Sequence, residues 1–187
     1  MDTAFERIET ARLVLRRPCA ADVEAIFRTY ASDPDVTRYL GWPRHVSVEQ
    51  TAAFLTFSDA EWSRWPAGPY LVCSHDGRLL GGTGLAFEAA DCAATGYVFA
   101  RSAWGKGYAT EAVHAVLDVA RGCGARVLYA LCHVDHQASA HVLEKCGFVS
   151  EGIVRRYAEF PNLSPGQLSD VRKYSRPLAP RTVSDRK

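Results

Sequence analysis

A short glycine-rich segment in the second half of the chain has the clearest chemical potential. Gly105, Lys106 and Gly107 follow an apolar run and precede a helical pattern that begins near Tyr108. A strand that turns into a helix through glycines exposes unpaired backbone N–H groups and the positive end of the helix dipole. Phosphate groups bind at such helix starts, and Gly107 lets the backbone approach a ligand closely. The segment therefore predicts a phosphate-binding loop.

Two common nucleotide-binding patterns do not fit this loop. A dinucleotide-binding fingerprint needs a third glycine where the chain has Thr110, and an acidic residue about twenty positions later, where residues 125–130 contain none. A P-loop needs the spacing Gly-x-x-x-x-Gly-Lys-Ser/Thr, which is absent from the segment. Taken as a bare Gly-x-Gly pattern, the segment also fits a tight strand-to-helix turn without a ligand.

The elements around the loop predict an α/β fold. Apolar residues at helical spacing mark four helices, and apolar or alternating runs mark the strands. The helices are expected near residues 23–30, 47–57, 113–120 and 139–146, and the strands near 12–17, 70–75, 78–87, 96–100, 126–133, 148–160 and 170–178. The Asp76-Gly77 pair predicts a tight hairpin. The strand before the loop, the helix after it and the strand at 126–133 predict a βαβ unit with a parallel pair.

Length and composition predict one globular domain over residues 1–187, with the last eight or so residues as a frayed tail. A net charge of +1 argues against general electrostatic binding to nucleic acid or to a membrane. The first residues lack a signal-peptide pattern, and no apolar run approaches the ~18 residues of a membrane span, so we expect a cytoplasmic protein. The six cysteines lack metal-binding spacing, which predicts reduced thiols and no metal.

Four segments together give a more specific indication. They are Glu-Thr-Ala-Arg-Leu-Val-Leu-Arg at 9–16, Leu-Gly-Gly-Thr-Gly-Leu at 80–85, Gly-Tyr-Val-Phe at 96–99 with residues 104–112, and residues 135–139 with 142–148 and 151–152. Jointly they resemble the GNAT acetyltransferases, and within them the ribosomal-protein N-terminal acetyltransferases of the RimJ/RimL type. The resemblance covers about residues 9–178. It implies a GNAT (acyl-CoA N-acyltransferase) fold, with a mixed, strongly twisted sheet, flanking helices and a splayed parallel strand pair.

The resemblance also implies which residues hold acetyl-CoA as co-substrate. The loop would bind the pyrophosphate through backbone N–H groups, and the strand before it would pair with the pantetheine arm as if the arm were an extra strand. His136 stands where the family usually has an asparagine that bonds the arm. The expected cofactor-binding residues are Val98, Phe99, Ala100, Trp104, Gly105, Lys106, Gly107, Tyr108, Ala109, Thr110 and His136.

Three residues are candidates for the chemistry of acetyl transfer. By resemblance, Ser139 lies near the cofactor sulfur; its place on the apolar face of a helix means that its hydroxyl needs a partner, which could equally be a helix carbonyl. Glu88 and His133, at the ends of two strands, could accept a proton directly or through water, or could be ordinary strand-end residues. Thr95 replaces a glutamate that many relatives carry. An α-amine with a pKa of about 7.7–8.0 makes a strong base less necessary.

Aromatic residues are candidates for the acceptor pocket. Trp42, Trp62, Trp65 and Tyr157 could line a groove for a peptide end, although core packing is the alternative for the tryptophans. We expect N-acetylation of a protein N-terminus by a monomer or homodimer. Acetylation of a small amine is an alternative. A catalytically silent acyl-CoA-binding module is another, which Thr95 and His136 favour.

Overall fold

An eight-stranded sheet organises residues 5–179, the part of the chain that the computed structural model describes. The strand order is β1-β2-β3-β4-β5-β6-β8-β7. The strands are β1 Arg7–Glu9, β2 Leu13–Arg16, β3 Pro69–Ser74, β4 Leu79–Ala89, β5 Cys92–Phe99, β6 Val127–His133, β7 Val149–Glu159 and β8 Leu168–Pro177. The tail expected at residues 180–187 lies outside the described residues.

Helices flank this sheet on both faces. They are α1 Val23–Ile26, α2 Pro34–Thr37, α3 Val48–Arg64, α4 Tyr108–Gly122 and α5 Gln137–Lys145, and a π-helical turn at Phe27–Ala31 extends α1. Within residues 5–179, none of the helices is both long and apolar enough to cross a membrane.

The predicted parallel pair is confirmed, and so is its splay. β5 and β6 run parallel, whereas every other neighbouring pair in the described sheet is antiparallel. Their register ends at Ala94↔Tyr129, although β5 continues to Phe99 and β6 continues to His133. The two strands therefore separate over their second halves and leave a gap in the sheet, as the GNAT resemblance implies.

Alternation along the strands gives the sheet two distinct faces. On the face that we call the α4 face, Leu128, Ala130 and Cys132 of β6 pack in the core cluster that includes α4 and α5 residues. On the opposite face, called here the α1 face, Leu71 and Cys73 of β3 pack with α1 and the π-helical turn. The helices of the α1 face cover the half of the sheet near β3.

Four elements differ from the sequence-based expectation. β1 was not predicted, and α3 continues to Arg64 rather than ending near residue 57. β5 begins at Cys92 rather than at residue 96, because the alanine-rich start has weak strand propensity and gains its conformation from pairing with β4 and β6. The short helix α2 was not predicted. Its proline occupies the first helical position, where no N–H is needed, and Asp33 Oδ1 accepts a hydrogen bond of 2.9 Å from the Asp35 N–H.

Candidate active site

The glycine loop has the backbone geometry of an anion-binding helix start. Gly105 and Gly107 both have positive φ, 72° and 77°, and Gly107 is the N-cap of α4. The Glu111 N–H donates to the Gly107 carbonyl over 3.1 Å, which closes the first turn of the helix. The N–H groups that precede Glu111 have no intrahelical acceptor, because a helix leaves its first donors unpaired. The loop can therefore present several donors and the positive helix end to a phosphate group.

A carboxylate fixes this loop to the hairpin formed by β1 and β2. Glu111 accepts hydrogen bonds from Thr10 Oγ1 at 2.6 Å, from the Arg12 backbone N–H at 2.8 Å and from Arg12 Nε at 2.6 Å. Arg12 Nη1 also donates to the Lys106 carbonyl at 2.8 Å. Burial alone would raise the pKa of Glu111, but the bonds from Thr10 and Arg12 lower it. We call Thr10, Arg12 and Glu111 the loop clamp; no local sequence pattern predicts it.

The backbone of β5 offers polar groups to the gap. The Ala100 N–H bonds to the Leu80 carbonyl of β4 at 2.9 Å, so the groups of Phe99 point the other way, toward the gap. The Phe99 carbonyl accepts a 2.7 Å hydrogen bond from Trp104 Nε1, while Trp104 stays half exposed. Of the predicted pantetheine-pairing residues Val98, Phe99 and Ala100, the gap-facing one is therefore Phe99.

Ser139 has a partner across the gap, on the α4 face. The Tyr97 hydroxyl lies 3.0 Å from Ser139 Oγ and 3.0 Å from the Ser139 carbonyl oxygen. Burial raises the pKa of Tyr97, which keeps the phenol protonated. The phenol can thus donate to the carbonyl and accept from the serine hydroxyl. The alternative that Ser139 bonds to a carbonyl of its own helix does not occur here, and Tyr97 is a site residue that the sequence analysis missed, although strand alternation places it on the α4 face.

Two histidines flank an aromatic ring at the end of β6. The Tyr39 ring stacks on His136 with centroids 4.7 Å apart and lies 5.2 Å from the His133 ring. His133 is buried, and its Nδ1 accepts a 3.2 Å hydrogen bond from the Asp135 N–H. In the neutral ring this places the proton on Nε2, so His133 can donate there. Burial, reinforced by nearby His133, lowers the pKa of His136 and keeps it neutral.

Glu88 and Tyr157 meet at a cavity of about 330 Å³ on the α1 face. Tyr129 also lines this cavity and donates its hydroxyl to Glu88. The lining runs from Cys92 and Val127, which pair with each other, to Leu131, two residues beyond the last β6 residue paired with β5, so the cavity reaches the start of the gap. The cavity and the Tyr97–Ser139 contact therefore lie on opposite faces of the sheet.

The three predicted acceptor tryptophans lie elsewhere. Trp62 is buried; its Nε1 donates to the Pro69 carbonyl at 2.9 Å, and its ring packs edge-on against Tyr70. The Trp65 ring stacks on Phe87 at 5.3 Å. Trp42 packs against the α1-face cluster and its ring lies 5.0 Å from that of His45. None of the three lines the cavity that contains Glu88 and Tyr157.

The described residues offer no metal centre. Between residues 5 and 179, no group of three or more His, Cys, Asp or Glu side chains is placed to hold a metal ion. What they do offer is a donor-rich loop, an open strand edge and a serine–tyrosine pair at the gap. This arrangement fits a ligand with a phosphate group at one end and an extended amide-containing arm.

Sequence comparison agrees with this geometry. The family model described as acetyltransferase (GNAT) domain matches residues 12–149. A protein of Bacillus subtilis (strain 168), described as the uncharacterized N-acetyltransferase YoaA, is 31% identical over 158 residues, which cover 82% of this chain and 88% of that protein.

Solved structures give the same result for the fold. A RimL ribosomal L7/L12 alpha-N-protein acetyltransferase in complex with coenzyme A has a TM-score of 0.80 at 25% identity, and the match covers 92% of this chain and 98% of that chain. A spermidine N-acetyltransferase from Vibrio cholerae in complex with CoA and spermine has a TM-score of 0.76 over 90% of this chain and 97% of that chain. At 19% identity, this second likeness concerns the fold alone.

Proposed function

The chain belongs to the GNAT family of acetyl-CoA-dependent N-acetyltransferases, and we propose that it acetylates the α-amine of a protein N-terminus as a single catalytic domain. The observation that carries the proposal is the Tyr97–Ser139 contact across the gap between β5 and β6, beside the glycine loop. The choice of a protein N-terminus draws on the similarity to the RimL structure. We further propose that the reaction takes place in the cytoplasm.

Acetyl-CoA supplies an activated thioester, and we assign its two ends to two parts of the site. The pyrophosphate is bound by the N–H groups of the loop from Trp104 to Thr110, at the start of α4. The pantetheine arm follows β5, where Phe99 presents backbone groups to the gap. His136, at the N-cap of α5, lies on the other side of the gap and takes the place of the usual asparagine.

Ser139 is proposed to act on the departing sulfur. A neutral amine attacks the thioester carbonyl, a C–N bond forms, the C–S bond breaks, and the proton lost by the nitrogen balances the one gained by the thiolate. When the Tyr97 hydroxyl donates to Ser139 Oγ, the Ser139 O–H is free to donate a hydrogen bond to the sulfur as its negative charge develops. Tyr97 is a positioning residue in this scheme, because it acts through Ser139.

A strong base is not required in this proposal. An α-amine with a pKa of about 7.7–8.0 is partly neutral near pH 7, so attack can draw on that fraction. The Nδ1 atom of His133 already accepts a backbone hydrogen bond, so we propose that His133 donates from Nε2 rather than taking the amine proton. Glu88 and Tyr157 lie at the cavity on the α1 face, which we propose as the side from which the acceptor approaches.

The test measures steady-state release of CoA from acetyl-CoA with a panel of N-terminal peptides and small amines. Ser139→Ala should lower kcat/KM by at least tenfold, which is about 1.4 kcal/mol of transition-state stabilisation, with a KM for acetyl-CoA close to that of the wild type. Tyr97→Phe should lower kcat by a smaller factor. Ser63→Ala, on the exposed side of α3, is the matched control and should not change activity.

The outcomes separate the competing functions. Release that depends on peptides and falls in Ser139→Ala supports the proposal. Release with small amines alone would replace the protein acceptor by a small molecule. Binding of acetyl-CoA without release above background with any acceptor would favour a silent acyl-CoA-binding module.

A further inference from the structure

The cavity lies on the α1 face of the sheet. The helices that pack against its bordering strands lie on the α4 face. Along β6, Leu128 and Ala130 point into the α4-face core, whereas Tyr129 and Leu131 line the cavity. The floor is thus the exposed side of the same strand that forms one edge of the gap. Leu131 lies two residues past the last β5–β6 pair, so the cavity reaches the start of the gap to which the proposed function assigns the pantetheine arm.

The charged side chains that line the cavity do not all compensate one another. Glu151, on its rim, is paired with Lys173 at 2.9 Å, so these two charges compensate each other. Glu88 is exposed, and the hydrogen bond that it accepts comes from the neutral Tyr129 hydroxyl. Burial and the contact with Glu88 raise the pKa of Tyr129, which keeps this donor neutral. The cavity therefore has one carboxylate whose charge its hydrogen-bond partner does not compensate.

A backbone irregularity places a second aromatic ring at this cavity. The pairing of β7 with β8 shifts register between Val154 and Ala158, and Arg156 in this bulge has φ of 47°. A left-handed conformation is unfavourable for a residue with a side chain, and bulges commonly redirect neighbouring side chains. The Arg156 N–H donates to Asp170 Oδ1 at 2.8 Å, which holds the bulge. Tyr157, the next residue, is 54% exposed and lines the cavity.

We propose that this cavity binds a basic side chain of the acceptor's N-terminal segment, with Glu88 as its counter-charge and the Tyr129 and Tyr157 rings as its walls. A carboxylate beside phenol rings suits an ammonium or guanidinium group. An apolar side chain would leave the Glu88 charge unmatched, and an acidic one would be repelled. The inference rests on the proposed function, since it places the acceptor on the α1 face.

The experiment compares peptides that differ only in charge. One set carries lysine at position two, three or four, and the matched set carries norleucine, which has a similar length without the ammonium group. An exposed ion pair changes affinity by up to about fivefold. A cation over a phenol ring adds a factor of about two to five. We therefore expect about a tenfold preference in kcat/KM for lysine at one of the positions.

Glu88→Gln should reduce this preference to less than twofold by raising KM for the lysine peptide. Glu24→Gln, an exposed glutamate of α1, is the matched control and should keep the preference. No preference in the wild type would overturn the proposal. So would an equal fall in kcat for both peptides in Glu88→Gln, because that result indicates a proton acceptor.

Failure of the proposed function is distinguishable from failure of this site. If no peptide is acetylated, 1,5-diaminopentane and 1-aminopentane serve as acceptors with and without a second ammonium group. NMR titration of the CoA-bound protein with each amine gives a readout without turnover. Shifts in β7 and β8 signals that need the second ammonium group, and that disappear in Glu88→Gln, support the cavity; equal shifts with both amines overturn it.

Discussion

The two ends of the sheet are built in opposite ways. At the loop end, Glu111 receives three hydrogen bonds from the β1–β2 hairpin, and β4 and β5 approach so closely that Gly81 has no room for a Cβ atom. At the other end, β7 is exposed along most of its length, and Val149, Ile153 and Tyr157 are each more than half exposed. One end is constrained by close contacts, and the other presents side chains to solvent.

This difference matches the two tasks of the site. The cofactor has the same phosphate and pantetheine groups in every acetyl-CoA-dependent reaction, so a loop fixed in one conformation binds it at low entropic cost. The acceptor is what distinguishes one such enzyme from another, and exposed side chains on an edge strand can change without loss of the core. The structure thus separates a constrained half, which we propose for the cofactor and call the cofactor half, from an exposed half, which we propose for the acceptor and call the acceptor half.

The largest loss of stability is expected when a methyl group is added at Gly81, in the constrained end of the sheet. In Gly81→Ala the new Cβ would overlap the Val98 carbonyl oxygen and lie 2.9 Å from the Phe99 Cα, and both are backbone atoms that cannot rotate away. We expect the free energy of unfolding to fall by about 3 kcal/mol, measured by urea denaturation. Acetyl-CoA affinity should fall as well, because β5 must move.

Gly96→Ala is the matched control in β5. Nothing lies within 4 Å of a Cβ built at Gly96, so its stability should stay within about 0.5 kcal/mol of the wild type. Equal losses in the two variants would show that the close approach of β4 and β5 is not what constrains this end.

The second test removes the centre of the loop clamp. Glu111→Ala leaves the Thr10 hydroxyl and two Arg12 donors without their acceptor, so we expect a loss of about 2 kcal/mol of stability. The dissociation constant for acetyl-CoA, measured by calorimetry, should rise about tenfold. Asp118→Ala is the control on the same helix; its pair with Arg121 is exposed and should cost less than about 0.5 kcal/mol.

The stabilisation that Glu111 contributes at the loop end depends on pH. The pKa of Glu111 is lower in the folded protein than in the unfolded chain, so its stabilisation is present above the unfolded value of about 4.3 and is lost as the pH falls through the folded value. The stability difference between the wild type and Glu111→Ala should therefore shrink below about pH 4. A difference that stays constant down to pH 3 would contradict the role of the ionised carboxylate.

The smallest loss of stability is expected for a substitution on the edge strand β7. Val149 is 66% exposed, so Val149→Thr should change stability by less than about 0.5 kcal/mol. The same substitution at Val116, which is fully buried in α4, should cost about 2 kcal/mol, because it buries a hydroxyl. A loss above about 1 kcal/mol in Val149→Thr would mean that β7 is covered in solution, as an interface between two copies of the chain would cover it.

Local signals in the sequence were sufficient for the cofactor half of the fold. The hairpin at Asp76-Gly77, the loop with Gly105 and Gly107, and α4 each depend on residues close in sequence, and all three are confirmed. The parallel β5–β6 pair followed from the order strand, helix, strand. The splay of that pair came from the family resemblance, because no local pattern encodes a gap between strands.

Contacts between distant residues could not be predicted in the same way. Thr10 and Glu111 are 101 positions apart, and Tyr97 and Ser139 are 42 apart, so each contact depends on how the completed sheet arranges its strands. Whether a tryptophan lines a pocket or packs in the core also depends on contacts between residues that are distant in sequence. Trp62 is apolar with one donor, and its Pro69 acceptor is known only once α3 is packed against β3.

The position of the last strand affects how the chain can fold during synthesis. β8 lies between β6 and β7, so β7 has no neighbour in the sheet until residues beyond 168 are available to pair with it. A chain still attached to a ribosome would carry β7 as a loose segment while the loop end, made of earlier residues, is already able to pack. The acceptor half is then the last part of the protein to form, and an interruption of synthesis shortly before β8 would leave a chain with its glycine loop but without the cavity that we propose for the acceptor.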